Sequence, residues 1–119
     1  MTVVILGASP KPERYAFLAQ QRLQERGHRA IPVNPACTEI LGERCYPSIR
    51  EISEPIDTVT MYLGPERSTP LTEEILQAKP RRIIFNPGAE NDVLAGAAKT
   101  AGIEVVEDCT LVMLAAGTF

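Results

Sequence analysis

Short apolar runs alternate with helix-like segments along the whole chain, and this alternation constrains the fold more than any other feature. The first run, Thr2–Leu6, is continuous and rich in β-branched residues, which is typical of a strand buried on both faces. Further strands are predicted at residues 29–33, 58–63, 82–85 and 103–106. Helices are predicted at residues 13–26, 66–78, 91–101 and 110–116, with a loop at 36–47 and one short helical turn at 48–52.

This alternation predicts parallel pairing, because each connection between strands must pass over a face of the sheet. With right-handed crossovers, we expect an α/β fold with a doubly wound, five-stranded, Rossmann-like parallel sheet. We expect the strand order 3-2-1-4-5, which puts a ligand crevice at the carboxyl ends of strands 1 and 4. At 119 residues, the chain is expected to form one domain over residues 1–119.

Composition argues against several classes of function. The net charge is −3, and the chain has three Tyr, three Phe and no Trp, so we expect no nucleic-acid binding. No uncharged run is long enough to cross a bilayer, and we expect no membrane contact. Three irregularly spaced cysteines without a basic leader indicate reduced thiols and a cytoplasmic location. A single histidine and the absence of a C-x-x-C pair argue against a metal site.

The first turn gives the sharpest functional signal. Gly7 follows a buried strand, and a helix begins six residues later, so backbone N–H groups and the helix dipole favour an anion there. Ser9 adds a hydroxyl donor, and Lys11 and Arg14 add positive charge beside the same helix start. The turn therefore predicts a phosphate or diphosphate site, the alternative being a tight turn flanked by two solvated cations.

Four turns fall at the carboxyl ends of predicted strands, and so at one edge of the sheet. Gly, Pro and Asn are also what such turns require for geometry alone, but their shared position favours a common nucleotide-binding site. The first turn is not G-x-G-x-x-G and no acidic residue ends strand 2, which argues against NAD. No P-loop pattern is present. The four turns are at Gly7-Ala8-Ser9-Pro10, Asn34-Pro35, Gly64-Pro65 and Asn86-Pro87-Gly88.

Several of these motifs resemble a known family. Residues 7–15 (G-A-S-P-K-P-E-R-Y), 31–35 (I-P-V-N-P), 40–43 and 46–48 look like the small stand-alone CoA-binding proteins, which are similar to the CoA-binding domain of the succinyl-CoA synthetase α-subunit. The resemblance covers nearly the whole chain. It implies a Rossmann-like domain that binds CoA across the crevice, with its phosphates at the first turn.

Carried over by position, the resemblance implies that the first turn and Arg14 hold the phosphates, while Asn34 and Pro35 border the nucleotide end. Many members end strand 3 with an Arg, and here Tyr62-Leu63-Gly64 stands in that place. The implied cofactor-binding residues are Gly7, Ala8, Ser9, Pro10, Lys11, Arg14, Asn34, Pro35, Tyr62, Asn86, Pro87 and Gly88.

We expect a protein that binds CoA or an acyl-CoA without catalysis of its own, and no residue is predicted to be catalytic. His28 belongs to the opposite edge of the sheet. The alternative is a subunit of a CoA- or nucleotide-dependent enzyme that a partner chain completes. An interaction module of the response-regulator kind would need an Asp cluster at the ends of strands 1 and 3, which is absent.

Two features leave alternatives open. Cys109 opens the last predicted helix on the ligand edge, so it could form a mixed disulfide with CoA or be a small buried apolar residue. Mass spectrometry after incubation with oxidised CoA, using Cys109→Ser, tests this. The helix at 110–116 carries no charge, so it packs either against a second copy in a homodimer or within its own chain.

Overall fold

The computed structural model describes residues 1–119 as a five-stranded parallel sheet with helices on both faces, which confirms the predicted α/β, Rossmann-like class. The strands are β1 (Thr2–Leu6), β2 (Arg29–Val33), β3 (Glu39–Ile40), β4 (Glu43–Arg44), β5 (Thr58–Met61), β6 (Arg82–Phe85) and β7 (Glu104–Glu107). The helices are α1 (Tyr15–Glu25), α2 (Pro65–Ser68), α3 (Thr72–Gln77), α4 (Asp92–Thr100) and α5 (Thr110–Ala116).

The order of the strands in the sheet is β2-β1-β5-β6-β7, so the predicted order 3-2-1-4-5 is wrong. The third long strand, β5, pairs with β1 on the side opposite β2. The winding direction therefore reverses between β1 and β5, and the crevice belongs at their carboxyl ends rather than at those of strands 1 and 4.

The connection between β2 and β5 explains this order. The predicted loop at 36–47 contains a hairpin, β3 paired with β4, and the chain then runs beside the outer edge of β2. Tyr46 N donates to Pro32 O at 3.0 Å, and Asn34 N donates to Tyr46 O at 2.9 Å. Because this segment occupies the free edge at the end of β2, β5 adds to the sheet on the far side of β1.

Side chains of β1 alternate between two hydrophobic clusters. Val4 and Leu6 pack with the face that α3 and α4 cover, whereas Val3 and Ile5 pack with the face that α1 and α5 cover. All four are at most 3% exposed, which confirms a strand buried on both sides. β1 thus lies at the centre of the molecule, and the turn after it is fixed by the core.

Helix boundaries follow local chemistry. The buried positions of α1 are Ala16, Ala19, Gln20 and Leu23, at the spacing of one helical face, and the helix ends before Gly27 at φ +81°. The helix predicted at 66–78 is divided into α2, a 3-10 turn at Thr69–Leu71 that contains Pro70, and α3. Pro lacks the N–H that a continuous helix needs.

The short helical turn predicted at 48–52 is confirmed as a 3-10 turn at Ile49–Glu51, where Ser48 Oγ accepts from Arg50 N at 3.2 Å. None of the helices combines the length and apolarity that crossing a membrane requires.

Candidate functional site

A cavity of about 700 Å³ opens at the carboxyl ends of β1, β2 and β5. Its floor is the end of β1, and its walls come from the start of α1 on one side and from the region of α2 and α3 on the other. A cavity of this size fits the range of cofactor sites. Its lining residues are 6–11, 14–16, 33–37, 47–49, 62–63, Arg67, Leu71 and Glu74.

Most of the site residues predicted from the sequence meet in this cavity. The structure brings together Gly7, Ala8, Ser9, Pro10, Lys11, Arg14, Asn34, Pro35 and Tyr62. It does not bring Asn86, Pro87 or Gly88 to the lining, because the sheet order moves the crevice to the other side of β5.

Backbone hydrogen bonds fix the first turn between the ends of β2 and β5. Gly7 N and Ala8 N both donate to Val33 O at 3.2 Å, and Tyr62 N donates to Leu6 O at 2.8 Å. Gly7 has φ +93°, and a Cβ on it would lie 2.9 Å from the carbonyl carbon and oxygen of Tyr62. Only glycine fits this close approach without strain.

Backbone donors at the start of α1 have no acceptor in the chain. Arg14 is the N-cap residue and supplies no side-chain hydrogen bond, so the N–H groups of Tyr15 and Ala16 remain free. The N–H of Ser9 is free as well, while Ser9 Oγ accepts from Lys11 N at 3.1 Å. All these residues line the cavity, so its α1 side offers unused donors to an anion.

Three cations line the cavity, and none of them forms a salt bridge. They are Lys11, Arg14 and Arg67, whereas the chain's salt bridges use Arg22, Arg29 and Arg81. The opposing charge in the lining is the single carboxylate of Glu74. The cavity therefore carries net positive charge.

Arg67 and Glu74 were missed by the sequence interpretation. Arg67 lies on α2, which begins with Pro65 at the carboxyl end of β5. The available signal was Gly64-Pro65: a proline in the first turn of a helix places the following side chains beside the crevice. Arg67 thus supplies a cation near the place where the family pattern has an Arg ending the strand.

Asn34 ties the first turn to the end of β2. Its Nδ2 donates to Ala8 O at 2.8 Å, and its Oδ1 accepts from Ala36 N at 2.8 Å. Both ends of the amide are therefore engaged by backbone groups. Asn34 positions the turn, and Pro35 next to it is exposed at the cavity.

Tyr62 follows β5 and is half-buried beside the face that α1 and α5 cover. Burial raises the pKa of its phenol to about 12, so the group stays protonated at neutral pH. Its hydroxyl makes no hydrogen bond, and the neighbouring hydroxyls of Thr60 and Thr110 bond to each other at 2.8 Å. The phenol is therefore not a base, and its buried hydroxyl oxygen lies beside these two hydroxyls rather than open to the cavity.

Asn86 is 3% exposed and is fully engaged inside the protein. Its Nδ2 donates to Thr60 Oγ1 at 2.7 Å and to Met61 O at 2.8 Å, and its Oδ1 accepts from Thr110 N at 2.8 Å. Pro87 and Gly88 are exposed, and Gly88 N donates to Glu90 Oε1 at 3.0 Å. The hydrogen bonds of Asn86 therefore connect the end of β6 to β5 and to the start of α5.

Two other residues considered from the sequence lie outside the cavity. Cys109 is half-buried at the N-cap of α5, and its N–H donates to Asp108 Oδ1 at 2.7 Å. His28 precedes β2 at the opposite edge of the sheet, with Nδ1 3.3 Å from Met1 N, and desolvation lowers its pKa. No three His, Cys, Asp or Glu residues gather where they could hold a metal ion.

Comparison with known proteins decides the family. The family described as "CoA binding domain" matches residues 1–115. The chain belongs to this CoA-binding domain family. Among curated proteins of this kind, the uncharacterized protein YneT of Bacillus subtilis is 29% identical over 106 residues, which are 89% of this chain and 78% of that protein.

Two further relatives show in what sizes of protein this CoA-binding domain occurs. The ADP-forming acetate–CoA ligase of Methanocaldococcus jannaschii is 30% identical over 62 residues, 52% of this chain but 9% of the ligase. The crystal structure of an uncharacterized protein superposes with a TM-score of 0.94 at 47% identity, covering 99% of this chain and 97% of that one. The domain therefore occurs both in small proteins and as a portion of large ligases.

Proposed function

We propose that this CoA-binding domain binds CoA or an acyl-CoA in the 700 Å³ cavity and performs no chemistry by itself. The observation that supports the proposal is the coincidence of free α1 amides with three unpaired cations in one cavity. CoA carries a diphosphate and a 3′-phosphate, which need such donors and charges.

In this proposal the free amides of Ser9, Tyr15 and Ala16, together with Lys11 and Arg14, hold the phosphates. The apolar lining, which includes Leu6 and Ile49, contacts the uncharged parts of CoA. Binding requires no new backbone structure, because the core already fixes the first turn.

The chemistry of the lining favours binding over catalysis. It contains no histidine, one thiol at Cys37, one carboxylate at Glu74, the hydroxyls of two serines and two phenols, of which Tyr62 has a pKa raised to about 12. One hydroxyl–carboxylate pair is present, Ser48 with Glu74 at 2.7 Å, but no third group orients the carboxylate as a catalytic base would require. A sensor or carrier of CoA needs no such third group.

The test is a panel of thermal unfolding experiments with CoA, acetyl-CoA, NAD, ATP and phosphate. A ligand present at 100 times its Kd stabilises the folded state by about 2.7 kcal/mol. We expect CoA or acetyl-CoA to raise the unfolding temperature more than NAD does. Stabilisation by NAD with none by CoA would contradict the proposal.

The second candidate is a subunit of a CoA-dependent enzyme that a partner chain completes. It is favoured by the similarity to part of an acetate–CoA ligase, which is far longer than this chain. A partner would then supply the missing acid or base to the cavity. Release of free CoA from acetyl-CoA, ADP and phosphate by the chain together with a co-purified partner chain, and not by the chain alone, would support this candidate.

A further inference from the structure

The one carboxylate in the cavity accepts a hydrogen bond from a serine whose hydroxyl is itself fixed by a backbone N–H. Glu74 is half-buried on α3, and its Oε2 accepts from Ser48 Oγ at 2.7 Å. The same Ser48 Oγ accepts from Arg50 N at 3.2 Å, so the hydroxyl proton is directed to Glu74. The other oxygen, Oε1, has no partner in the chain, although three cations line the same cavity.

The surroundings of Glu74 differ from the α1 side of the cavity. Ile49, Leu63 and Leu71 line the cavity; Ile49 belongs to the hydrophobic cluster that contains Ile75 of α3, and the two leucines pack against that cluster. Lys11 and Arg14 come from the α1 side, and Arg67 comes from α2. The residues beside Glu74 on α3 and in the cluster are thus mainly apolar, with one fixed acceptor among them.

A ligand that fills the cavity removes water from Glu74. A carboxylate that loses water without gaining a hydrogen bond opposes binding, and a phosphate placed beside it is repelled. The portion of the ligand next to Glu74 must therefore be uncharged and must donate an N–H or O–H.

We infer that Glu74, positioned by Ser48, accepts a hydrogen bond from an uncharged donor group of CoA and so selects against ligands that are anionic throughout. This inference rests on the proposed function. CoA has such donors in two portions: the adenosine, with its amino group and ribose hydroxyl, and the pantetheine, with its amides and hydroxyl.

The isosteric variant Glu74→Gln tests the inference, because the Kd for CoA should rise if Glu74 accepts a hydrogen bond and fall if Glu74 only repels phosphates. The Gln carbonyl oxygen can accept from Ser48, which leaves the NH₂ group to face the ligand, and an NH₂ group cannot accept its donor. We expect the Kd for CoA, measured by titration calorimetry, to rise about 10- to 100-fold, the loss of a hydrogen bond to a charged group. If Glu74 merely repels phosphates, the same variant binds CoA more tightly.

Glu73→Gln is the matched control, because Glu73 is exposed on the same helix and lies outside the lining. It changes the charge equally, and we expect its Kd for CoA to stay within about twofold of the wild-type value. An unfolding temperature of apo Glu74→Gln close to the wild-type value establishes that the variant is folded.

Fragments locate the donor and separate this inference from the proposed function. Adenosine 3′,5′-bisphosphate and 4′-phosphopantetheine each carry one set of donors. If either fragment binds Glu74→Gln more weakly than it binds wild type, the inference is supported. Inorganic pyrophosphate has no uncharged donor and should bind Glu74→Gln at least as well as wild type. Unchanged or tighter CoA binding by Glu74→Gln overturns the inference, whereas a wild-type protein that does not bind CoA overturns the proposed function.

Discussion

At the scale of single residues, Gly7 serves both the fold and the site. It has φ +93°, it sits against the backbone of Tyr62, and its N–H bonds to Val33 O at 3.2 Å. The position of the first turn relative to β2 and β5 therefore depends on a residue without a side chain.

Replacing Gly7 by Ala should destabilise the protein by about 2 kcal/mol or more, because the variant adds a backbone clash to the strain of a positive φ. Chemical denaturation measures this loss. Gly102→Ala is the control, since Gly102 has φ +81° but nothing within 4 Å of an added Cβ. It should cost about 1 kcal/mol. Equal losses in the two variants would mean that the contact with Tyr62 does not matter.

Arg67 provides a second residue-scale prediction. Arg67→Gln should raise the Kd for CoA about fivefold at low salt, and the difference should shrink as salt increases, because an exposed cation is screened. Lys99 is exposed on α4 and lies outside the cavity, so Lys99→Gln should leave the Kd unchanged. If both substitutions changed the Kd equally, Arg67 would act only through the overall charge of the protein and not through its place in the cavity.

The sequence predicted one side of the site better than the other. The first turn and Asn34-Pro35 are short motifs directly after strands, so local sequence fixes where they lie. Arg67 and Glu74 lie on α2 and α3, seven residues apart, and they line the cavity because this side of the segment faces it. That orientation depends on packing against the sheet, which no local pattern specifies.

At the scale of elements, the error in strand order has a physical cause. Alternation of strands and helices is compatible with adding β5 on either side of the first two strands. Pro32 within β2 was an available signal, because a proline in a strand favours an edge position, and β2 is an edge strand. The covering of β2 by Tyr46 is a contact between distant residues and could not be predicted from periodicity.

Asn86 joins elements rather than contacting the cavity. Asn86→Ala leaves Thr110 N and Met61 O without their buried partners, so we expect a loss of about 2–4 kcal/mol in unfolding free energy. The Kd of the folded variant for CoA should remain within about twofold of wild type. A large loss of CoA affinity at unchanged stability would instead support the contact with CoA that the family resemblance implies.

The starts of β5 and β6 are joined by Asp57 and Arg81. Arg81 Nε and Nη2 donate to the two Asp57 oxygens at 3.0 and 3.1 Å, and this lowers the pKa of Asp57 below 3.8. A carboxyl whose pKa is lowered on folding stabilises the protein above about pH 4, and the contribution disappears as pH falls through the folded pKa.

Asp57→Asn should therefore unfold at a lower temperature than wild type at pH 7, and the difference in unfolding temperature should shrink as pH falls below about 4. Thermal unfolding across this range measures it. The control is Glu104→Gln, which removes a single exposed contact of 3.2 Å with the same arginine and should change stability less at pH 7. A gap for Asp57→Asn that is independent of pH would contradict the role of the charge.

At the scale of the whole molecule, α5 has two different sides. Met113 and Leu114 are buried, while Val112 is 58% exposed and Ala115 and Ala116 are exposed. The uncharged helix is therefore covered by its own chain on one side only. The predicted homodimer through residues 110–116 remains a prediction, and the exposed side is the surface it would use.

Light scattering at micromolar concentration tests the homodimer. We expect a dimer for wild type and a monomer for Val112→Asp, whose charge near the start of α5 is compatible with the helix dipole. Val93→Asp is the control, because Val93 is 63% exposed on α4 away from α5. A wild-type monomer would exclude the homodimer under these conditions.

The two borders of the sheet limit how copies of this protein can meet. At one border, Tyr46 already satisfies the outward backbone groups at the end of β2. At the other, β7 begins and ends with the exposed Glu104 and Glu107, which would repel the same residues of an incoming antiparallel copy. Continuous sheets and fibres built strand to strand are therefore disfavoured, and self-association is left to the helical surfaces.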